Sequence, residues 1–248
     1  MKFSIIMPIK GNSTYTESLF DSFHRHNTTK DFEFIVINNG QDEETKTLLE
    51  KESKKIPKLI VVENDKNIGV SASWNQGIKK STGEYICIIN NDIEILTPSW
   101  LECFKKTLDK SKTIYWTSPA TCYDKDPKKI KFKPSHYEQL IYGTDQYTYV
   151  VGCCFMCPRH CFDSIGLFDE KFDMRYYEDL DYINRILASG NNVSMSNEVL
   201  IYHAVGVTSR NTAGGENNAA LYQEKWGGTR TDILAQQPPR IKATKVFM

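Results

Sequence analysis

No run in this 248-residue chain approaches the apolar length that a membrane-spanning helix needs. The opening MKFSIIMPIKGN turns polar after a handful of apolar residues, so it reads as a buried first strand and not as a secretion signal. Neither charge is in excess. Thirty-one lysines and arginines balance 31 aspartates and glutamates, for a formal net charge of zero. That balance argues against nucleic acid or an anionic membrane surface as a bulk electrostatic partner, and leaves any anionic ligand to local groups. There is no internal repeat, and no glycine-rich basic loop follows the first apolar segment, where Ile9-Lys10-Gly11-Asn12 is short and plain. The seven cysteines are odd in number and lack the two-pair Cys-x-x-Cys spacing of a structural zinc site. They read as reduced thiols in a reducing compartment, with Cys153, Cys154, Cys157 and Cys161 as small packing residues.

What the chain does have is an alternation of short apolar runs with segments of helical period. Strands are expected at Phe3–Pro8, Phe32–Ile37, Leu59–Glu63 and Tyr85–Ile89, with helices at Thr14–His26, Asp42–Ser53 and Val70–Lys80 between them. This order predicts an α/β fold with a mostly parallel central sheet and helices on both faces, its ligand at the carboxyl ends of the strands. Thr97 and Pro98 are expected to start a further helix, as N-cap and first-turn residue. Strands at Ile114–Thr117, Tyr147–Met156 and Val193–His203, a surface loop at Asp124–Pro134, and helices at Tyr177–Ala188 and Asn218–Lys225 complete the reading. Residues 1–209 are expected to form one domain, its halves at 1–96 and 97–209, with a helix and loose tail at 210–248.

Three stretches carry residues suited to chemistry. Asn38-Asn39-Gly40 follows the second strand; two amides and a glycine can hold a flat heterocycle, and they equally suit an ordinary turn. Asn90-Asn91-Asp92 follows the fourth strand and delivers a carboxylate to the sheet edge, where it could bridge a hard divalent cation to a phosphate or simply cap a turn. Glu178-Asp179-Leu180-Asp181 opens a helix. Acidic residues there favour the helix dipole, but three carboxylates within four positions exceed that need, and aromatic neighbours can desolvate one into a general base. His203 ends a strand, a place where a histidine judged in isolation is more often a satisfied core residue than a metal ligand.

Together, FSIIMPIKGN, FIVINNG, NDKNIGVSASWNQGIKKSTGEYICIINNDIEI, VVGCCFMCPRHCFDSIGLFDEKFDMRYYEDLDYINRILASG and IYHAVGVTS resemble, in order and spacing, the family 2 glycosyltransferases of the GT-A fold. The resemblance runs to about Ser209. It implies transfer of a sugar from a nucleotide-diphosphate donor of UDP, dTDP or GDP type to a hydroxyl of a glycan or lipid-linked glycan, with inversion and a divalent metal, Mn²⁺ or Mg²⁺. By position in the family's motifs, Pro8, Asn38 and Asn39 would hold the base, where the family usually has an aspartate. Asn67, Gly69 and Asn75 would lie along nucleotide and sugar. Asn90, Asn91 and Asp92 stand at the Asp-x-Asp motif, in a variant with Asn first that resembles rhamnosyltransferases. The resemblance makes Asp92 and His203 the metal ligands and Asp179 the catalytic base with Glu178 beside it, and offers Arg185 as a further donor or acceptor contact.

Such a reaction needs no acid, because a diphosphate leaves unprotonated; what remains is to take the acceptor's proton. Two other readings stay open: a non-catalytic nucleotide- or glycan-binding domain of the same fold, and a sugar nucleotidyltransferase, which would want the missing glycine-rich loop. The setting expected is cytoplasmic, at the membrane face where an acceptor is lipid-linked.

Overall fold

The computed structural model describes residues 1–40, 42–122, 152–204 and 214–228. The four apolar runs become β1 (Phe3–Ile9), β2 (Phe32–Asn38), β3 (Leu59–Glu63) and β4 (Tyr85–Ile89), all paired in parallel in the order β3-β2-β1-β4. Both faces of β1 are covered, so Phe3 to Met7 are fully buried in succession rather than alternately. The crossovers are α1 (Ser13–His26), α2 (Glu43–Ser53) and α3 (Val70–Lys80). Asp42 starts α2 by accepting the Thr45 amide at 2.8 Å, which satisfies one of the free N–H groups of the first turn.

Past β4 the sheet changes direction. β5 (Ile93–Ile95), β6 (Ile114–Cys122), β7 (Cys154–Pro158) and β8 (Asn192–His203) extend it to eight strands in the order β3-β2-β1-β4-β7-β6-β8-β5. β7 runs antiparallel to both β4 and β6, β6 and β8 are parallel, and β5 is antiparallel to β8. α4 (Trp100–Leu108), α5 (Arg159–Ile165), α6 (Glu178–Ala188) and α7 (Asn218–Trp226) complete the described elements.

Side chains on opposite faces feed two cores. Phe3, Ile5, Met7 and Ile9 pack with α1 and α4, while Ile6, Ile35 and Ile37 pack with α3 and α6. The same alternation splits β7: Cys154 and Met156 enter the first core, Phe155 and Cys157 the second. Cys87, Cys103, Cys153, Cys154, Cys157 and Cys161 are free thiols, all but Cys103 buried.

Four details depart from expectation. Thr97 is not the N-cap of α4; its hydroxyl accepts the Leu200 amide at 2.8 Å, tying the turn to β8, and α4 starts two residues later from Ser99. β6 continues five residues beyond Thr117, with a register shift at Pro119–Ala120 that accommodates a proline unable to donate to a ladder. β7 starts at Cys154, while the expected strand residues 147–151, the loop at 124–134 and the tail after 228 lie outside the described residues. β5 and α5 were not anticipated.

Candidate active site

The parallel strands deliver their carboxyl ends to one edge, and the local sequence decides what stands there. Asn38 and Asn39 end β2. Asn38 is fully buried; its amide donates to Glu63 Oε2 at 2.8 Å and its carbonyl oxygen accepts the Gly40 N–H at 3.1 Å. Asn39 donates to Ser73 Oγ at 2.7 Å and accepts from Asn64 Nδ2 at 2.9 Å, so it bolts the β2 end to α3 and to the residue after β3. Pro8 sits half-buried on β1, in register with Ile37. Asn67 closes a tight turn by accepting the Gly69 amide at 3.1 Å. Gly69 has φ +84°, and a Cβ there would lie 2.7 Å from the Met174 nitrogen, so only glycine lets the start of α3 approach that distant segment. Asn75 donates to the Phe168 carbonyl and Glu170 Oε1 and accepts the Phe168 N–H, all at 2.8–2.9 Å; this amide clamps the loop before α6.

Between β4 and β5, residues 90–92 are pinned on both sides. The Asn90 amide donates to the Cys153 carbonyl at 2.8 Å, and the Asp92 carbonyl accepts the Ala204 amide at 2.9 Å. Asn91 turns its amide to Thr16 Oγ1 on α1 at 3.0 Å. The antiparallel register of β5 and β8 pairs Ile93 with His203, which brings His203 Nε2 to 3.3 Å from Asp92 Oδ1. Asp92 is 6% exposed, and its Oδ1 is buried without a hydrogen bond. A buried carboxylate oxygen with spare capacity, beside an imidazole nitrogen, is a donor pair that suits Mn²⁺ or Mg²⁺. Among the described residues no three His, Cys, Asp or Glu side chains converge, so these two could hold only part of an ion's shell.

The carboxylates of α6 stand on the other side of Gly152 and Cys153. A Cβ on Gly152 would lie 2.2 Å from Asp179 Oδ2, so Asp179 rests directly on that backbone, the same stretch that receives the Asn90 amide. Asp179 Oδ1 accepts its neighbour's amide, Leu180 N–H, at 2.8 Å. Burial pushes the Cys153 thiol well above its ordinary pKa, with neighbouring Cys154 and the charges of Asp92 and Asp179 acting in the same direction. Burial, followed by the Asp179 charge, lifts the Glu178 carboxyl to about 8, and Glu178 Oε2 has no hydrogen-bond partner. At neutral pH Glu178 is therefore protonated. Asp181 plays a different part: it is fully buried and paired with Arg185 Nε at 3.1 Å, Lys225 Nζ at 2.8 Å and Trp226 Nε1 at 3.0 Å.

The approach to Glu178 is strained. Met174, Tyr176 and Tyr177 have φ of 50°, 72° and 74°, left-handed values that cost a bulky residue on the order of 1–2 kcal/mol each. Nothing in the sequence signals them, since glycine and asparagine are the usual occupants of that region. Arg185 does not face the edge; it also donates to the Ile165 and Leu167 carbonyls, at 3.2 and 2.8 Å, and braces the loop before α6. Of the residues the sequence singled out, the fold pairs Asp92 with His203 and sets Asp179 against Gly152. Sequence reasoning missed Gly152, whose only signal was a glycine opening the apolar run before β7. Of the amides, Asn39, Asn75 and Asn91 are turned to protein partners, as is the whole Asn38 side chain.

With the geometry in place, three comparisons bear on it. The family described as "Glycosyl transferase family 2" matches residues 4–166. An uncharacterized glycosyltransferase of Rickettsia typhi is 28% identical over 260 residues, covering 97% of this chain and 75% of the relative. Among solved structures, a mannosyltransferase of Pyrobaculum calidifontis in complex with GDP-Man and Mn²⁺ superimposes with a TM-score of 0.67 at 18% identity, over 84% of this chain and 58% of that one. TarS of S. aureus (residues 1–349) in complex with UDP gives 0.64 at 20% identity, over 82% and 60%. The chain thus spans less than two thirds of either solved structure, and the likeness to them shows a shared GT-A fold.

Proposed function

The chain belongs to glycosyl transferase family 2, and from that premise we propose that it moves a sugar from a nucleoside-diphosphate donor to an acceptor hydroxyl with inversion. One observation carries the reading: His203 Nε2 stands 3.3 Å from Asp92 Oδ1, and Asp179 rests on Gly152, next to the Cys153 carbonyl that receives the N–H of Asn90, two residues before Asp92. Family membership and the GDP- and UDP-bound relatives of the same fold support a nucleotide-sugar donor. The amides ending β2 and the turn at Asn67–Gly69 frame a slot of fixed shape for it.

Asp92 and His203 are the residues that would hold a divalent cation, Mn²⁺ or Mg²⁺. When bound, such an ion supplies positive charge for the leaving diphosphate. Of the pair, Asp179 is given the part of proton acceptor, because burial and the Asp179 charge raise the neighbouring Glu178 carboxyl to about 8. Asp179 takes the proton from the acceptor oxygen as that oxygen bonds to the anomeric carbon and the carbon–phosphate-oxygen bond breaks. A general base of this kind is worth about 10²–10⁴-fold. The acceptor is a glycan or lipid-linked glycan; no described helix is long and apolar enough to cross a membrane.

The test is nucleoside-diphosphate release from a panel of UDP-, dTDP- and GDP-sugars with Mn²⁺ or Mg²⁺, with the anomeric configuration of any product read by NMR. One donor turned over with inversion supports the proposal. Retention of configuration contradicts the single-displacement step, and no turnover with any donor and acceptor contradicts the transferase reading in favour of a binding domain.

A further inference from the structure

The strained segment before Glu178 is held by a residue from α7, more than forty positions further along the chain. Asn218 is 1% exposed, and its amide nitrogen donates to three carbonyls of that segment: Asp173 at 2.8 Å, Arg175 at 2.9 Å and Tyr176 at 3.1 Å. It stands at the first turn of α7 yet makes no cap for its own helix, whose N-cap, Asn217, has no side-chain bond either. The residues before it close on the same segment. A Cβ on Gly214 would lie 2.3 Å from Met174 Cγ, and one on Gly215 2.6 Å from the Arg175 carbonyl oxygen. Docking of α7 onto α6 rests on other groups: Asn184 Nδ2 donates to the Tyr222 hydroxyl at 2.6 Å, and Trp226 Nε1 to Asp181 Oδ1. Anchoring the helix and clamping the segment are therefore done by different side chains.

We propose that Asn218 is a positioning residue for the transfer reaction, acting through residues 173–177 on Asp179 and on the ring of Tyr176. The inference rests on the transferase reading above. An amide donating to three carbonyls at once selects the backbone that turns all three to one point, and that backbone requires positive φ at Met174, Tyr176 and Tyr177. The clamped turn ends where Asp179 begins its approach to Gly152, and it leaves Tyr176 53% exposed, beneath the Arg175 guanidinium at 5.1 Å. An exposed ring three residues before the base gives the apolar face of an acceptor sugar a surface to lie on. Loosening the clamp should move both, together with the turn at Asn67–Gly69 that meets Met174, while the Asn38 and Asn39 amides, bonded to Glu63, Gly40, Ser73 and Asn64, stay in place.

The experiment compares Asn218→Ala and Asn218→Asp with Tyr222→Phe in the full chain. Tyr222→Phe removes the other buried α7 hydrogen bond but keeps the ring that packs on Tyr177. Steady-state kinetics, melting temperature and hydrogen exchange of residues 173–181 are measured for each. Asn218→Ala is expected to lower kcat tenfold or more and raise acceptor KM. Asn218→Asp, which faces the three carbonyls with an oxygen, should lose at least as much. Tyr222→Phe is expected to lower the melting temperature comparably while kcat stays within threefold, and only the Asn218 variants should lose exchange protection at 173–181. Asn218→Ala with kcat within threefold of wild type, or losses in kcat that track melting temperature equally in all variants, overturns the proposal. A wild-type chain that turns over no donor sinks the transferase reading instead, and the exchange comparison still decides the clamp.

Discussion

On the side of the edge built by β1, β2 and β3, the amides of Asn38, Asn39 and Asn75 are spent on protein partners at 2.7–3.1 Å. Between β4 and β5 and at the start of α6, two buried carboxyl oxygens, Asp92 Oδ1 and Glu178 Oε2, have no hydrogen bond, and Met174, Tyr176 and Tyr177 on the approach to α6 sit at positive φ. In the first arrangement, the frame, the amides are satisfied, which costs little and fixes the ends of the strands. The second stores unfavourable free energy, which a fold keeps where a ligand or a reaction uses it. The contrast assigns donor shape to one half and chemistry to the other.

The largest break in that contrast should come from Asp179→Asn. It leaves the frame untouched and is expected to lower kcat by roughly 10²–10⁴-fold while the melting shift from a bound donor persists. Asp92→Ala should lose roughly 10²–10³-fold in metal-stimulated turnover, together with most of the metal dependence of nucleotide binding by calorimetry. Gly152→Ala follows: a Cβ 2.2 Å from Asp179 Oδ2 must displace that carboxylate, so kcat should drop about tenfold with donor KM nearly unchanged.

Next comes pH. Glu178 is raised to about 8 in the folded chain, from an ordinary value of 4.5. Its contribution to stability is present below the ordinary value and is lost as pH rises toward and through about 8, because the unfolded chain releases that proton first. Melting curves of Glu178→Gln should match wild type near pH 4 and lie above it at pH 9, and the fall of kcat/KM on the alkaline side should be weaker in the variant. The smallest effect on chemistry is expected in the frame. Asn75→Ala should cost about 1–3 kcal/mol of stability, read from denaturant midpoints, while kcat changes less than threefold. A kcat loss at Asn75 as large as that at Gly152 would erase the distinction between the halves.

How much of this was legible follows the same divide. β1 to β4 are continuous apolar runs separated by helical periods, so their order and the parallel sheet could be read directly. Asp92, His203, Glu178 and Asp179 were singled out by their positions in the motifs of the resemblance; alone, the carboxylates could as well cap a turn or a helix, and the histidine could pack in the core. β5 has three residues and no period, and the polar TSPATC stretch of β6 with its proline did not look like a strand. Thr97 and Ser99 are equally good cap residues by type; the Leu200 amide decides between them, and that contact spans a hundred positions. Left-handed tyrosines carry no sequence signal, and the link from Asn218 to Tyr176 exists only once α7 is docked.

The most direct test of the central claim is the melting temperature of wild type and Asp92→Ala with UDP-, dTDP- and GDP-sugars, each with and without Mn²⁺. A ligand at a hundredfold excess over its dissociation constant stabilises the folded state by about 2.7 kcal/mol. The account predicts a shift with one nucleotide class that requires the metal in wild type and disappears in Asp92→Ala. Equal shifts with and without metal, or a shift that survives in Asp92→Ala, would contradict it.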